Sequence, residues 1–168
     1  MSAARLARKA RWLRWAMNLY PPYLGAGVRV RQISADFRQV RVSMGLGWYN
    51  RNYVGTQFGG SLYTMTDPFY MLMLMENLGR DYIVWDKAAS IDFVSPGKGP
   101  VHAEFHIDEA LLAQVRHCTA AGDKYLPQLE VEVRDGAGQL VARVHKTLYV
   151  RLKPHLRQTT EDSTCKQI

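Results

Sequence analysis

Hydrophobic and polar positions alternate along much of the chain, and the period changes from segment to segment. Val40, Val42, Met44 and Leu46 alternate with Gln39, Arg41, Ser43 and Gly45, which predicts a strand. Val101, Ala103, Phe105 and Ile107 likewise oppose His102, Glu104, His106 and Asp108. Strand patterns also cover residues 28–34, 82–94, 128–134 and 140–152. The last two are joined by Asp135-Gly136-Ala137-Gly138, a hairpin signal. Helical spacing appears in three places. The first residues carry Leu6, Ala10, Leu13, Met17 and Tyr20 at steps of three and four. Residues 58–78 form the most apolar run and end at Gly79. A short helix is predicted after Asp108, a good N-cap, and before Gly122.

The order is therefore helix, two strands, long helix, then four strands with a short helix inserted. Hairpin-joined strands favour an antiparallel sheet. The run from Leu62 to Met75 is apolar on nearly every side, and a helix of that kind is buried all round. The expected fold class is α+β, a curved antiparallel sheet wrapped around a long central helix. A free sheet edge would then be covered by a second copy. Residues 1–25 read as a basic helical arm, 26–153 as the domain, and 154–168 as a polar tail. Pro21 to Gly27 reads as the break between arm and domain.

Charge changes this picture at one end. The net charge is +7. No acidic residue precedes Asp36, while Arg5, Arg8, Lys9, Arg11, Arg14, Arg29 and Arg31 do. The remainder holds 22 − 7 = 15 basic residues against 15 acidic ones, a balance of zero. A nucleic-acid partner, which calls for a basic folded face, is therefore not expected. The arm reads as a helix packed on its own domain, as a weak contact with an anionic membrane surface or an acidic ligand, or as a targeting segment. No secretory core and no transmembrane span is readable. Cys118 and Cys165 stand far apart without a disulfide framework or CxxC spacing, which fits a reducing, cytoplasmic setting.

Candidate chemistry lies in residues 52–67. Glycines at a helix start let a ligand approach the backbone, where the first N–H groups lack intrahelical acceptors. Phe58, Gly59 and Gly60 are thus placed to offer donors to a developing oxyanion, or Gly59 and Gly60 only allow close packing. Asp67 stands eight residues beyond Gly59, about 12 Å along a helix. One carbonyl cannot be served by both, so a shared site requires two chains. Asp-Pro is also a common helix start. The favoured reading is one helix kinked at Pro68, which lacks the N–H that would bond Thr64. An acid in apolar surroundings would have a raised pKa unless paired, which suits a general base.

The pattern Asn52-x-x-Gly55-x-x-Phe58-Gly59-Gly60 followed by Asp67 resembles the hotdog-fold acyl-CoA thioesterases of the PaaI-like branch. The strand ending Ile91-Asp92-Phe93-Val94-Ser95-Pro96 is similar to their strand after the central helix. The resemblance spans roughly residues 26–152. It implies a homodimer or a dimer of dimers with a composite site, and hydrolysis of an acyl-CoA-type substrate. Asp67 would be base or nucleophile, Gly59 with Gly60 the oxyanion donor, Asn52 an orienting group, and Ser95 an assistant. No metal and no cofactor is implied. The chain departs from the family at Phe58, where the family has histidine, and at Pro68. Phe58 and the methionine-rich helix motivate an alternative, a non-catalytic module that binds acyl-CoA or a lipid-like ligand.

Elsewhere, His102 and His106 lie about 7 Å apart on one strand face and read as solvated. His117, His145 and His155 look incidental. Asp86, Lys87 and Asp92 interrupt an apolar strand and are expected to find neighbours or an exposed edge, with a place along a substrate channel as the alternative.

Overall fold

The computed structural model describes residues 3–156. The elements are α1 (Ala3–Asn18), α2 (Pro21–Ala26), β1 (Val28–Ile33), β2 (Gln39–Met44), α3 (Gly59–Thr64) and α4 (Phe69–Leu78). They continue with β3 (Tyr82–Phe93), β4 (Val101–His106), α5 (Glu109–Thr119), β5 (Gln128–Asp135) and β6 (Leu140–Leu152), then a single 3-10 turn at Pro154–Leu156. Most of the tail expected at 154–168 lies outside the described residues.

The six strands form one antiparallel sheet in the order β1-β2-β4-β5-β6-β3. Alternation sets which face is inside. On β4, Val101, Ala103 and Phe105 are buried while His102, Glu104 and His106 are exposed, as their period requires. The β5–β6 hairpin closes at Gly138, whose φ of 83° suits glycine. Asp108 caps α5 as its position predicts, accepting from Leu111 N at 2.7 Å.

Helices α4 and α5 pack against the inner face and complete a single core. Phe69 and Tyr70 of α4 meet Phe105 of β4 with ring centroids 4.9 and 5.1 Å apart. The central segment departs from expectation in two ways. It is two helices rather than one, because the chain tightens into i→i−3 bonds at Thr66 and Asp67 before Pro68, which has no N–H to donate. It is also not buried all round: Met71 and Leu72 are only partly covered, and Met75 is exposed. The Pro21–Gly27 break contains α2, since proline is well tolerated at a helix start and Gly27 ends it at φ 78°.

The two sheet edges are treated differently. Asn18 at the end of α1 donates to Val30 O at 3.0 Å and accepts from Val30 N at 2.8 Å, standing in for a missing strand beside β1. At the other edge, β3 is twelve residues long and largely exposed from Lys87 to Ser90. Of the two cysteines, Cys118 lies on the buried side of α5, and Cys165 lies outside the described residues.

Candidate functional site

Residues 50–57 form a loop folded on its own polar groups. Asn52 Nδ2 donates to Thr56 Oγ1 at 2.8 Å and to Gln57 O at 3.3 Å, and its Oδ1 accepts from Thr56 N at 2.9 Å. Its amide is thus hydrogen-bonded within the loop. Asn50, which the sequence reading passed over, ties the same loop to Gly45 O and Ala26 O. This arrangement delivers Phe58 in extended backbone to the start of α3, where the first N–H bonded inside the helix is that of Leu62, to Phe58 O. The N–H groups of Gly59, Gly60 and Ser61 lie in the first turn and have no intrahelical acceptor.

Both glycines lie against exposed aromatic rings. A Cβ on Gly59 would lie 2.8 Å from the Phe93 ring, and one on Gly60 would meet the Phe58 ring. Beside α3 is a groove of about 350 Å³. It brings together Asn52, Gly59 and Ser95, with Gln57, Leu62 and Phe93 also in its wall. Ser95 Oγ donates to Leu140 O at 2.5 Å. Phe58 is exposed beside this groove and offers no polar atom to it.

Asp67 does not line that groove. It sits at the break between α3 and α4, against β6 and β3. Lys146 Nζ lies 2.6 Å from Asp67 Oδ1 and 3.2 Å from Asp86 Oδ2. The same ammonium is 3.5 Å from Tyr63 OH and 5.0 Å from the Tyr63 ring centre. The lysine side chain is 1% exposed, Asp86 21% and Asp67 45%. Tyr23 of α2 donates from its hydroxyl to the main-chain oxygen of Asp67.

The electrostatics follow from this packing. Burial works to raise Asp67, but hydrogen bonds from Asp86 and Lys146 outweigh it and hold the carboxyl below the usual range. The acid is paired, which is the condition under which the sequence reading did not expect a raised pKa. Asp86 is raised instead, first by burial and then by its contact with Asp67, against the pull of Lys146. Its Oδ1 is buried without a hydrogen-bond partner, which disfavours charge there. Burial would lower Lys146, yet its two aspartates keep it raised and charged. The arrangement supplies a fixed, ionised carboxylate that remains partly open to solvent.

Lys146 escaped the sequence reading, and Asp86 was read first as a structural or edge charge, though a signal existed for both. Ala142, Val144, Leu148 and Val150 are all buried, so the period of β6 points Lys146 inward. Val84 and Asp86 share a phase on β3 in the same way, and Lys87 sits in a register shift, exposed. His145, read as incidental, lies on the outer face between Asp92 and Glu130 at 3.2 and 3.3 Å.

Residues 8–150 match the family described as "Domain of unknown function (DUF4442)". A search of curated proteins gives no match. Among solved structures, a protein of unknown function from Pseudomonas aeruginosa, described as a probable thioesterase, aligns with TM-score 0.74 at 20% identity, over 85% of this chain and 95% of its own. A protein of unknown function from Chlorobaculum tepidum aligns with TM-score 0.69 at 15% identity, over 88% and 96%. A thioesterase from Haemophilus influenzae aligns with TM-score 0.62 at 12% identity, over 89% and 93%. At such identities the likeness is one of fold, and that fold, a curved sheet wrapped on its helix, is the hotdog fold.

Proposed function

The chain belongs to the DUF4442 family, and on that footing we propose that it is a thioester hydrolase acting on acyl-CoA-type substrates. The observation that carries this reading is the ionised Asp67, fixed by Lys146 with its side chain still 45% exposed. A carboxylate so held can remove a proton from an attacking water, or attack the thioester carbonyl itself. In the first case the water oxygen bonds to the carbonyl carbon as its proton passes to Asp67. The carbonyl oxygen takes up negative charge, and the C–S bond then breaks to release thiolate and fatty acid. N–H groups at the start of α3, from Gly59 and Gly60, are the donors proposed for that oxyanion.

Asp67 and the groove at Gly59 are separate within one chain. The proposal therefore places Asp67 of one copy against the groove of another, with the open β3 edge as the contact between copies in a homodimer. Asn52 shapes the loop that presents Gly59, Gly60 and Phe58, and Ser95 braces the far wall. Two names among the solved neighbours, a probable thioesterase and a thioesterase, support the reaction class.

The test is release of free thiol from a panel of acyl-CoAs by the purified full-length chain. Asp67→Asn should abolish turnover and still fold, since Lys146 keeps Asp86 as a partner. Equal rates in the two proteins would overturn the proposal. Phe58 favours a second reading, a module that binds acyl-CoA or a lipid-like ligand without turnover. That reading expects thermal stabilisation by acyl-CoA with no thiol released.

A further inference from the structure

Helix α1 has two apolar faces, and its own domain uses only one. Ala10 and Met17 are buried, and Leu13 packs partly against the core. At 3.6 residues per turn, Arg5, Arg8, Arg11, Trp12, Trp15 and Leu19 fall on the opposite side. Trp12 is 68% exposed, Trp15 64% and Leu19 66%. Tyr20 and Leu24 extend this patch across the junction with α2. Two indoles and a leucine held in water on one turn-spaced stripe are unusual for a packed surface helix, whose outer face is normally polar.

The charge on the same face is of one sign. Lys9, at its border, is paired with Glu76 at 2.6 Å, and Arg14 donates to Arg31 O. Arg5, Arg8 and Arg11 pair with no described carboxylate. No acidic residue occurs before Asp36, and the rest of the chain is balanced, so the positive field belongs to this end of the molecule.

We propose that the outer face of α1, with Arg5, Arg8, Arg11, Trp12, Trp15 and Leu19, docks on the surface of an anionic phospholipid bilayer. Arginines flanking tryptophans match the phosphate and acyl boundary of such a surface. Indole rings prefer that level of the bilayer. The exposed indoles and leucines of this face suit an apolar boundary and have no counterpart on a nucleic acid. Among the described residues no helix is long and apolar enough to cross a membrane, so contact is made from one side. This inference does not depend on thioester hydrolysis. It does place the bilayer next to α2, whose Tyr23 donates to the main chain of Asp67.

The experiment is co-sedimentation of the full-length chain with vesicles of phosphatidylcholine alone, or of phosphatidylcholine mixed with phosphatidylglycerol, at low and high salt. The wild type should pellet with the mixed vesicles and be released by salt. Trp12→Ala/Trp15→Ala should weaken pelleting at least about tenfold. Arg5→Gln/Arg8→Gln/Arg11→Gln should weaken it about a hundredfold, the product of three cations leaving an anionic surface. All five positions are exposed, so circular dichroism should report unchanged folding. Trp48→Ala, an exposed aromatic outside the face, should bind as the wild type.

Absence of pelleting at low salt, equal binding to both vesicle types, or variants that bind like the wild type would each overturn the proposal. So would a fall in oligomeric state of the tryptophan variant, which would assign the face to contact between copies.

Discussion

Replacing Lys146 with methionine isolates what the buried ammonium does. Methionine fills nearly the same volume and removes only the charge and its hydrogen bonds. In the wild type that charge serves Asp67 at 2.6 Å and Asp86 at 3.2 Å. Without it, a poorly solvated carboxylate must remain charged or take up a proton. Protonation sets the ceiling. From an unfolded value of 3.8, holding one carboxyl neutral at pH 7 costs about 4 kcal/mol, at 1.36 kcal/mol per pH unit. Breaking a buried pair from one side costs about 3–5 kcal/mol. Asp67 is half open to water, so the lower end applies, and the expected loss at pH 7 is about 3 kcal/mol.

The same argument predicts how the loss varies with pH. In the wild type Asp67 lies below its unfolded value, so its contribution is complete above the ordinary carboxylate range and is lost only in stronger acid. Lys146 is raised, so its contribution is complete well below its unfolded value of 10.5. In the variant the carboxyl is raised, and its penalty fades as pH falls toward 3.8. At pH 5 the ceiling is only about 1.6 kcal/mol. Urea unfolding followed by circular dichroism, at one protein concentration and at both pH values, measures the difference. A loss under about 1 kcal/mol at pH 7, as for an exposed pair, would refute the reasoning. So would a loss that is the same at pH 5 and pH 7.

Because Asp67 is held below the usual carboxylate range, kcat/KM for thiol release should stay level as pH falls from 8 to about 5, rather than declining near neutrality; a pH–rate profile checks this. Gly59→Ala sets a methyl group 2.8 Å from the exposed Phe93 ring, which can swing aside. Stability should change by under about 1 kcal/mol, while kcat/KM falls at least about tenfold because the groove beside α3 is narrowed. Adding Phe93→Ala should recover the stability and not the turnover. Asp108→Ala should cost about 1 kcal/mol by urea unfolding, since it removes the cap on Leu111 N, and should leave turnover unchanged.

The elements were legible wherever one face of a regular segment is buried. Period two over 101–106 and 140–152 and the cap at Asp108 need only local chemistry, and each appears where its pattern puts it. The central segment was legible in composition but not in shape. Its residues are apolar on all sides, so periodicity could not tell a kinked helix from two helices separated at 65–68. The glycine pair and Asp67 stood out for a chemical reason, an acid within an apolar run. Asn52 stood out only through its place in the motif, and the bonds its amide makes within the loop could not be read from spacing. Asp86 was visible as a charge in a strand, yet its partner lies sixty residues away on β6.

By itself the sequence determined the α+β class, the order of the strands along the chain, the polar outer face of β4 and the concentration of positive charge before Asp36. These follow from side-chain period and from counting charges, and neither requires knowing which distant segments meet. Only the tertiary structure decided that Lys146 stands between Asp67 and Asp86, so that of the two states the sequence left open, raised or paired, Asp67 is the paired and ionised one. Only it showed that α1 spends Ala10 and Met17 on the core and leaves Trp12 and Trp15 in water. Both outcomes depend on pairing across the sheet and on which side of a helix meets it, and the free energy of a buried charge or an exposed indole is set by those neighbours.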